Sequence, residues 1–370
     1  MKSTMGIILT ECKNYDLKEL SSVRPVASVP FGGKYRAIDF ALSSMVNSGI
    51  INISVITKYN MRSLMDHLGS GKEWDLDRKN RGLFILPASE HPTESCDDIL
   101  GPLYGNISFL EKSSEKYVLI IQGFAIYNMD FTPMIIQHIE TNADITIACR
   151  DMSDFSLDER KLLGTVITGE NGIITQYSEN TQDTGYSFGP MGIFLLGREF
   201  LIDLLKGRIS KPAETFNDII AQNAGNLRIY ACNFHGYWRP LSNIQLYYRT
   251  NMELLNPGVR QELLMNERKI YTKIKDDPPA KYNGDACVRN SIVAEGCIIE
   301  GTVENSILFR GVRVEKGAKI KDSLIMQESV IEKNADLQYC ILDKEVTVSQ
   351  GRTLKGEPQY PLVISKKTRV

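Results

Sequence analysis

Asn290-Ser-Ile292, Asn305-Ser-Ile307, Asp322-Ser-Leu324 and Tyr339-Cys-Ile341 repeat one pattern at intervals of 15, 17 and 17 residues. Between them stand Gly296-Cys-Ile298, Gly317-Ala-Lys-Ile320 and Asn334-Ala-Asp-Leu337. Small turn residues and inward aliphatics thus recur at roughly hexapeptide spacing. One such unit cannot bury its apolar face alone, whereas stacked coils bury a continuous core, so the pattern predicts a β-helix. A plain antiparallel β domain also uses small residues at turns, but the fixed period favours the β-helix. Near the end of the chain, Tyr339-Cys-Ile-Leu342 and Pro361-Leu-Val-Ile364 offer apolar surface to another subunit, unless the second simply closes the stack as a last strand.

The first 250 residues have a different texture. Strand-like apolar runs lie at Met5–Thr10, Ile51–Thr57, Tyr117–Ile121, Ala143–Ala148 and Met191–Leu196, with helical patterns such as Arg36–Gly49 and Met61–Leu68 between them. Gly49 stands where a helix C-terminal cap belongs. Alternating strands and helices predict a mostly parallel sheet covered on both faces. Ligands of such sheets bind outside the carboxyl ends of the strands, so Gln122-Gly-Phe124 should face a site. After Asn256-Pro257 a charged segment runs to Asp276-Asp-Pro-Pro-Ala280, where the double proline forbids helix and marks a linker.

Composition narrows the function. With 370 residues and 42% apolar content, the chain has room for two domains with substantial cores. A net charge of -2 argues against an extended nucleic-acid surface while leaving room for a local basic pocket. No apolar run approaches the roughly 18 residues of a membrane span, and Met1-Lys-Ser-Thr-Met-Gly-Ile leads straight into a strand without a signal peptide. The seven cysteines are dispersed, without a C-x-x-C pair, and read as reduced cytoplasmic thiols. With four histidines, no His/Cys cluster has zinc-ligand spacing.

Val29-Pro-Phe-Gly-Gly-Lys-Tyr-Arg36 continues into Ala37-Ile-Asp39-Phe40 and Asn47-Ser-Gly-Ile50. Further along come Trp74-Asp-Leu-Asp-Arg-Lys-Asn80, Tyr237-Trp238 and Asn251-Met-Glu-Leu-Leu-Asn-Pro257. Together these resemble the ADP-glucose pyrophosphorylase (glucose-1-phosphate adenylyltransferase) family, which joins glucose 1-phosphate to ATP for glycogen synthesis. The resemblance spans nearly the whole chain. It implies a Rossmann-like nucleotidyltransferase domain over residues 1–255, a linker over 256–282 and a left-handed parallel β-helix over 283–370. Asp75 and Asp77, in a polar stretch beside Arg78 and Lys79, read as ion-paired surface residues rather than an acid/base pair.

Nucleotidyl transfer needs a backbone cradle for the triphosphate, a cation, carboxylates for Mg²⁺ and a grip on the sugar phosphate. The family's glycine-rich cradle becomes Glu11-Cys-Lys-Asn-Tyr-Asp16, with Glu11, Cys12 and Asn14 at glycine positions and Asp16 at an arginine. Val26 stands at the phosphate lysine, Phe124 and Pro240 at the two metal aspartates, and Asn180 at the sugar-phosphate lysine. The family's Gly-Thr-Ala-Asp-Ala becomes Asp98-Ile-Leu-Gly-Pro102, and its Ala-Ser-Met-Gly becomes Gly189-Pro-Met-Gly192. Glu179 and Gly192 survive as remnants of the substrate site. Losing the metal's charge alone forfeits several kcal/mol, on the order of 10²–10⁴ in rate.

The resemblance therefore implies no catalytic residues, no Mg²⁺ cofactor and a non-catalytic regulatory subunit. Its partner would be a catalytic homologue, in a cytoplasmic hetero-oligomer with no nucleic acid or membrane; a homodimer is possible when it is alone. Arg24, Lys34 and Arg36 lie where the family binds anionic effectors such as sugar phosphates, and guanidinium groups suit phosphate. Salt bridging to Asp39 or to the β-helix is the competing role for this cluster. Two other functions stay open: a weakly active adenylyltransferase with a rearranged site, and a self-associating sugar-phosphate or nucleotide sensor.

Overall fold

The computed structural model describes residues 3–10, 15–58, 60–88, 99–178, 188–207 and 215–370. Seven strands form the central sheet: β1 (Thr4–Leu9), β2 (Asn52–Thr57), β3 (Gly82–Pro87), β4 (Tyr117–Gln122), β5 (Ile145–Asp151), β6 (Phe188–Gly197) and β7 (Ile229–Asn233). Their order is β7-β5-β6-β4-β1-β2-β3. Only β6 runs against its neighbours, β4 and β5; the other pairings are parallel. The sheet is mostly parallel because β1 and β4 are near-continuous apolar runs, buried on both faces by two separate apolar clusters.

The five strand-like runs in the sequence all lie on this sheet. Helix α1 (Ala37–Asn47) ends where expected. Gly49 has φ +76°, its N–H donates to the Val46 carbonyl at 2.9 Å, and the Ile50 N–H donates to the Met45 carbonyl at 3.0 Å. This is a Schellman cap, and it needs a residue that accepts positive φ. Helix α2 (Met61–Leu68) matches its expected bounds. The segment over residues 256–282 opens with a further helix, Pro257–Leu264, capped by the Asn256 side chain. It then runs extended across α1, where Asn47 donates to the Lys269 carbonyl at 3.0 Å.

The C-terminal part is a parallel β-helix of three five-stranded sheets. The recurring tripeptides form one corner of each coil: Asn290, Asn305, Asp322 and Tyr339 all have positive φ, between +42° and +50°. Asn and Asp tolerate that conformation through local hydrogen bonding. The serines that follow build a ladder. Ser291 Oγ accepts from the Ser306 N–H, Ser306 Oγ from Ser323 and Ser323 Oγ from Cys340, each at 3.1 Å. Cys340, Ile341 and Leu342 are wholly buried inside the stack and give no surface to a partner. Leu362–Ile364 pairs with them as a last strand.

The two parts share one apolar core. Phe31, Phe40, Phe124 and Tyr247 from the α/β part pack with Phe309 and Met326 from the β-helix. The Phe31-Gly32-Gly33-Lys34 turn presses against the coils, with Gly33 facing Ile292 and Ala294. Asn251 holds the turn by accepting from the Gly32 N–H at 3.0 Å. Beside it, Arg24 is 2% exposed and donates through both terminal nitrogens to Asp343 of the β-helix, at 2.9 and 2.8 Å.

Asp343→Asn would leave the Arg24 guanidinium buried without its counter-charge. The expected cost is about 3–5 kcal/mol, read from the denaturation midpoint. Replacing both partners with apolar residues, Arg24→Met with Asp343→Leu, should recover most of it. A loss under about 1 kcal/mol for Asp343→Asn would show that the pair is not holding the junction.

Candidate functional site

At the carboxyl end of β4, which neighbours β1, and against β6 lies a cleft of about 80 Å³, bordered by Gln122, Phe124, Gly192, Trp238 and Pro240. The chain reverses its direction of travel across the sheet between β1 and β4, so this is the crevice where such sheets bind ligands. Gly192 has φ +71°, and a Cβ there would stand 2.4 Å from the Gln122 side-chain oxygen, so glycine is required. Glu179 and Asn180, and likewise Glu11, Cys12, Asn14 and Asp98, fall outside the described residues.

Phe124 and Pro240, far apart in sequence, meet in this cleft. Pro240 pairs with Ala125 in a short antiparallel ladder, and the Leu241 N–H donates to the Phe124 carbonyl at 2.9 Å. The positions that the resemblance gives to two metal carboxylates thus converge, but with a phenyl ring and a pyrrolidine. Neither carries a side-chain oxygen for a divalent cation. Phe124 is 2% exposed and belongs to the shared junction core. The ring of Tyr15 stands edge-on against it, with centroids 4.5 Å apart.

Two arginines near the cleft are paired with carboxylates. Arg239 donates to Glu253 at 3.1 Å and to Asp154 at 2.6 Å, and its guanidinium lies 4.8 Å from the Phe155 ring centroid. Arg150 also reaches Asp154, at 3.2 Å. Val26 is buried in the junction core. Asp16 is exposed and accepts from the Lys18 N–H at 2.6 Å, which stabilises its own turn. Asp75 pairs with Arg78, and Asp77 accepts from Ser70 at 3.1 Å on the surface.

A second cavity, of about 290 Å³, opens where the α/β part, the extended segment and the β-helix meet. Lys34 and Arg36 line it; Arg24 does not, because Asp343 occupies its guanidinium. Arg36 is also partly engaged, donating to Ser28 Oγ at 2.5 Å and to the Ser63 carbonyl at 2.7 Å. Burial, with nearby Arg24 adding to it and Asp39 opposing, lowers Arg36 to about 10. His67, whose ring lies 2.5 Å from Asp39, is held below its ordinary value, chiefly by burial.

Four further cations on this cavity were not found by reading the sequence: Lys273, Lys275, Arg310 and Lys344. They come from the extended segment and from separate coils, and only the folded junction brings them to Arg36. The Lys344 amine falls to about 7, through burial first and then the repulsion of Arg36 and Arg24. Six Lys and Arg side chains face the cavity against three carboxylates, Asp66, Glu328 and Glu345. The cavity is suited to an anion. Among the described residues, no cluster of three or more His, Cys, Asp or Glu is placed to hold a metal ion, and no helix is long and apolar enough to cross a membrane.

The chain was compared with known proteins. A family model described as nucleotidyl transferase matches residues 5–257. One described as GlmU-like, C-terminal hexapeptide matches residues 278–359. The glycogen biosynthesis protein GlgD of Bacillus subtilis (strain 168) is 33% identical over 364 residues, covering 98% of this chain and 95% of that protein. A glucose-1-phosphate adenylyltransferase of Fervidobacterium nodosum is 34% identical, covering 95% of this chain and 85% of its own. One from Acetivibrio thermocellus is 37% identical, with coverage of 95% and 83%.

Phe124→Asp would put a carboxylate into an apolar core beside Tyr15 and remove a buried ring. It should cost at least about 3 kcal/mol and yield no Mg²⁺-dependent turnover, since groups that act as a unit are not restored singly. A thermal melt and an adenylyl-transfer assay check this. A stable variant with robust turnover would show that the cleft is a working site lacking one ligand.

Proposed function

We propose, from the premise that this chain belongs to the nucleotidyl transferase family that includes the glucose-1-phosphate adenylyltransferases, that it is a non-catalytic regulatory subunit. It would bind a catalytic homologue and adjust ADP-glucose formation for cytoplasmic glycogen synthesis. The observation that carries this reading is the meeting of Phe124 and Pro240 at the crevice of the sheet. A transfer reaction there would have no carboxylate from either position to hold Mg²⁺. The glycogen biosynthesis protein of Bacillus subtilis, matched over almost its whole length, supports the pathway.

Regulation would be exerted through the cavity at the junction. An anionic effector, of the sugar-phosphate class, would bridge Arg36 of the α/β part and the cations of the β-helix. Bound there, it would bias how the two parts sit and therefore how the subunit engages its partner. Effector affinity and partner affinity must then influence each other by the same factor.

Two measurements test the proposal. With ATP, glucose 1-phosphate and Mg²⁺, the chain alone should show negligible synthesis of ADP-glucose; turnover of about 1 s⁻¹ or more, the order of working enzymes, would sink it. Mixed with an intact catalytic homologue, it should elute as a hetero-oligomer and change that enzyme's kcat or KM. If each protein stays with itself and the kinetics do not move, a self-associating sensor takes the place of the regulatory subunit.

A further inference from the structure

We propose that Lys344 couples anion binding at the junction cavity to the uptake of a proton; the inference rests on the anion-site reading above. Lys344 follows Asp343 at a corner of the β-helix and is half-buried. Asp343, the carboxylate nearest in sequence, is fully engaged by Arg24 at 2.8 and 2.9 Å. Glu345, on its other side, pairs with Lys366 and Lys367 at 3.4 and 3.6 Å. Among the described residues the Lys344 amine forms no ion pair.

The elements packed around it add mostly positive charge. The turn before α1 presents Lys34 and Arg36, and the extended segment presents Lys273 and Lys275. The neighbouring coil brings Glu328, and the coil beyond it Arg310, already held by Glu295 at 3.5 Å. Helix α2 presents Asp66 and His67. A partly desolvated amine among guanidinium groups favours its neutral form, which is why it falls to about 7. An entering anion reverses the balance, because an opposite charge nearby favours the ammonium form.

The sign follows from linkage. An amine whose affinity for protons is higher in the complex than in the empty cavity makes binding strongest below the empty-cavity value and weaker above it. Between pH 7 and 8.5 anion affinity should fall by about tenfold. His67, held below its ordinary value, is neutral across this window and contributes no charge change.

Sulfate is the probe, because it stays a dianion throughout. Calorimetric titration of the full chain at pH 8, in two buffers of different ionisation enthalpy, counts the protons taken up. The expected result is close to one proton per sulfate, with the tenfold weakening from pH 7 to 8.5. Lys344→Arg keeps the positive charge at every pH; with an unchanged thermal melt, it should bind sulfate with a flat pH profile and no proton uptake. If the wild-type chain and Lys344→Arg bind sulfate with the same pH profile, the proton coupling is wrong and the anion cavity stands. If neither binds sulfate between pH 6.5 and 8.5, the anion-site reading falls and takes the proposal with it.

Discussion

The junction between the α/β part and the β-helix is an apolar core that neither part could bury alone. Phe31, Phe40 and Phe124 from one side meet Phe309 and Met326 from the other, and hydrophobic burial of this kind is the dominant favourable term in holding two bodies together. The cleft is subject to it, because Phe124 stands both at the crevice of the sheet and in this core. So is the anion cavity, whose cations are gathered only because the same contact fixes the Phe31-Gly32-Gly33-Lys34 turn against the coils. Position 124, where the resemblance puts a metal carboxylate, is filled by a buried ring that contributes packing. Returning it to a carboxylate is not a local repair.

Electrostatics divides the molecule in the same way. Around the cleft, Arg150 and Arg239 each have a carboxylate partner among the described residues. Around the junction cavity the carboxylates are outnumbered, and the one best placed to neutralise Lys344 is spent on Arg24. The unbalanced positive charge thus lies at the junction cavity, and function lives in sites rather than in the fold that carries them.

How much of this was legible in the sequence depended on whether the signal was local. The β-helix was readable because each corner needs a residue that accepts positive φ, and Asn290, Asn305 and Asp322 announce it at a fixed period. Helix α1 ended at Gly49 for the same reason. The resemblance marks Phe124 and Pro240 as departures because each sits in a short matching stretch, although their contact through Ala125 is not visible there. The anion cavity was only half visible. Lys34 and Arg36 lie in one motif, but Lys273, Arg310 and Lys344 are supplied by elements that no local pattern links. The resemblance groups Arg24 with them; its choice of Asp343 over Asp39 depends on a coil far down the chain.

That distance has a consequence for how the protein is made. Arg24 and Asp343 are 319 residues apart, and domains emerge from the ribosome at about 5–20 residues per second. For roughly 15–60 s a nascent chain therefore carries a guanidinium with no counter-charge and an aromatic surface with no cover. The apolar cover arrives with the coils of Phe309 and Met326, and the counter-charge only with that of Asp343. Until Asp343 has been made, Arg24 stays without the carboxylate that the folded junction gives it.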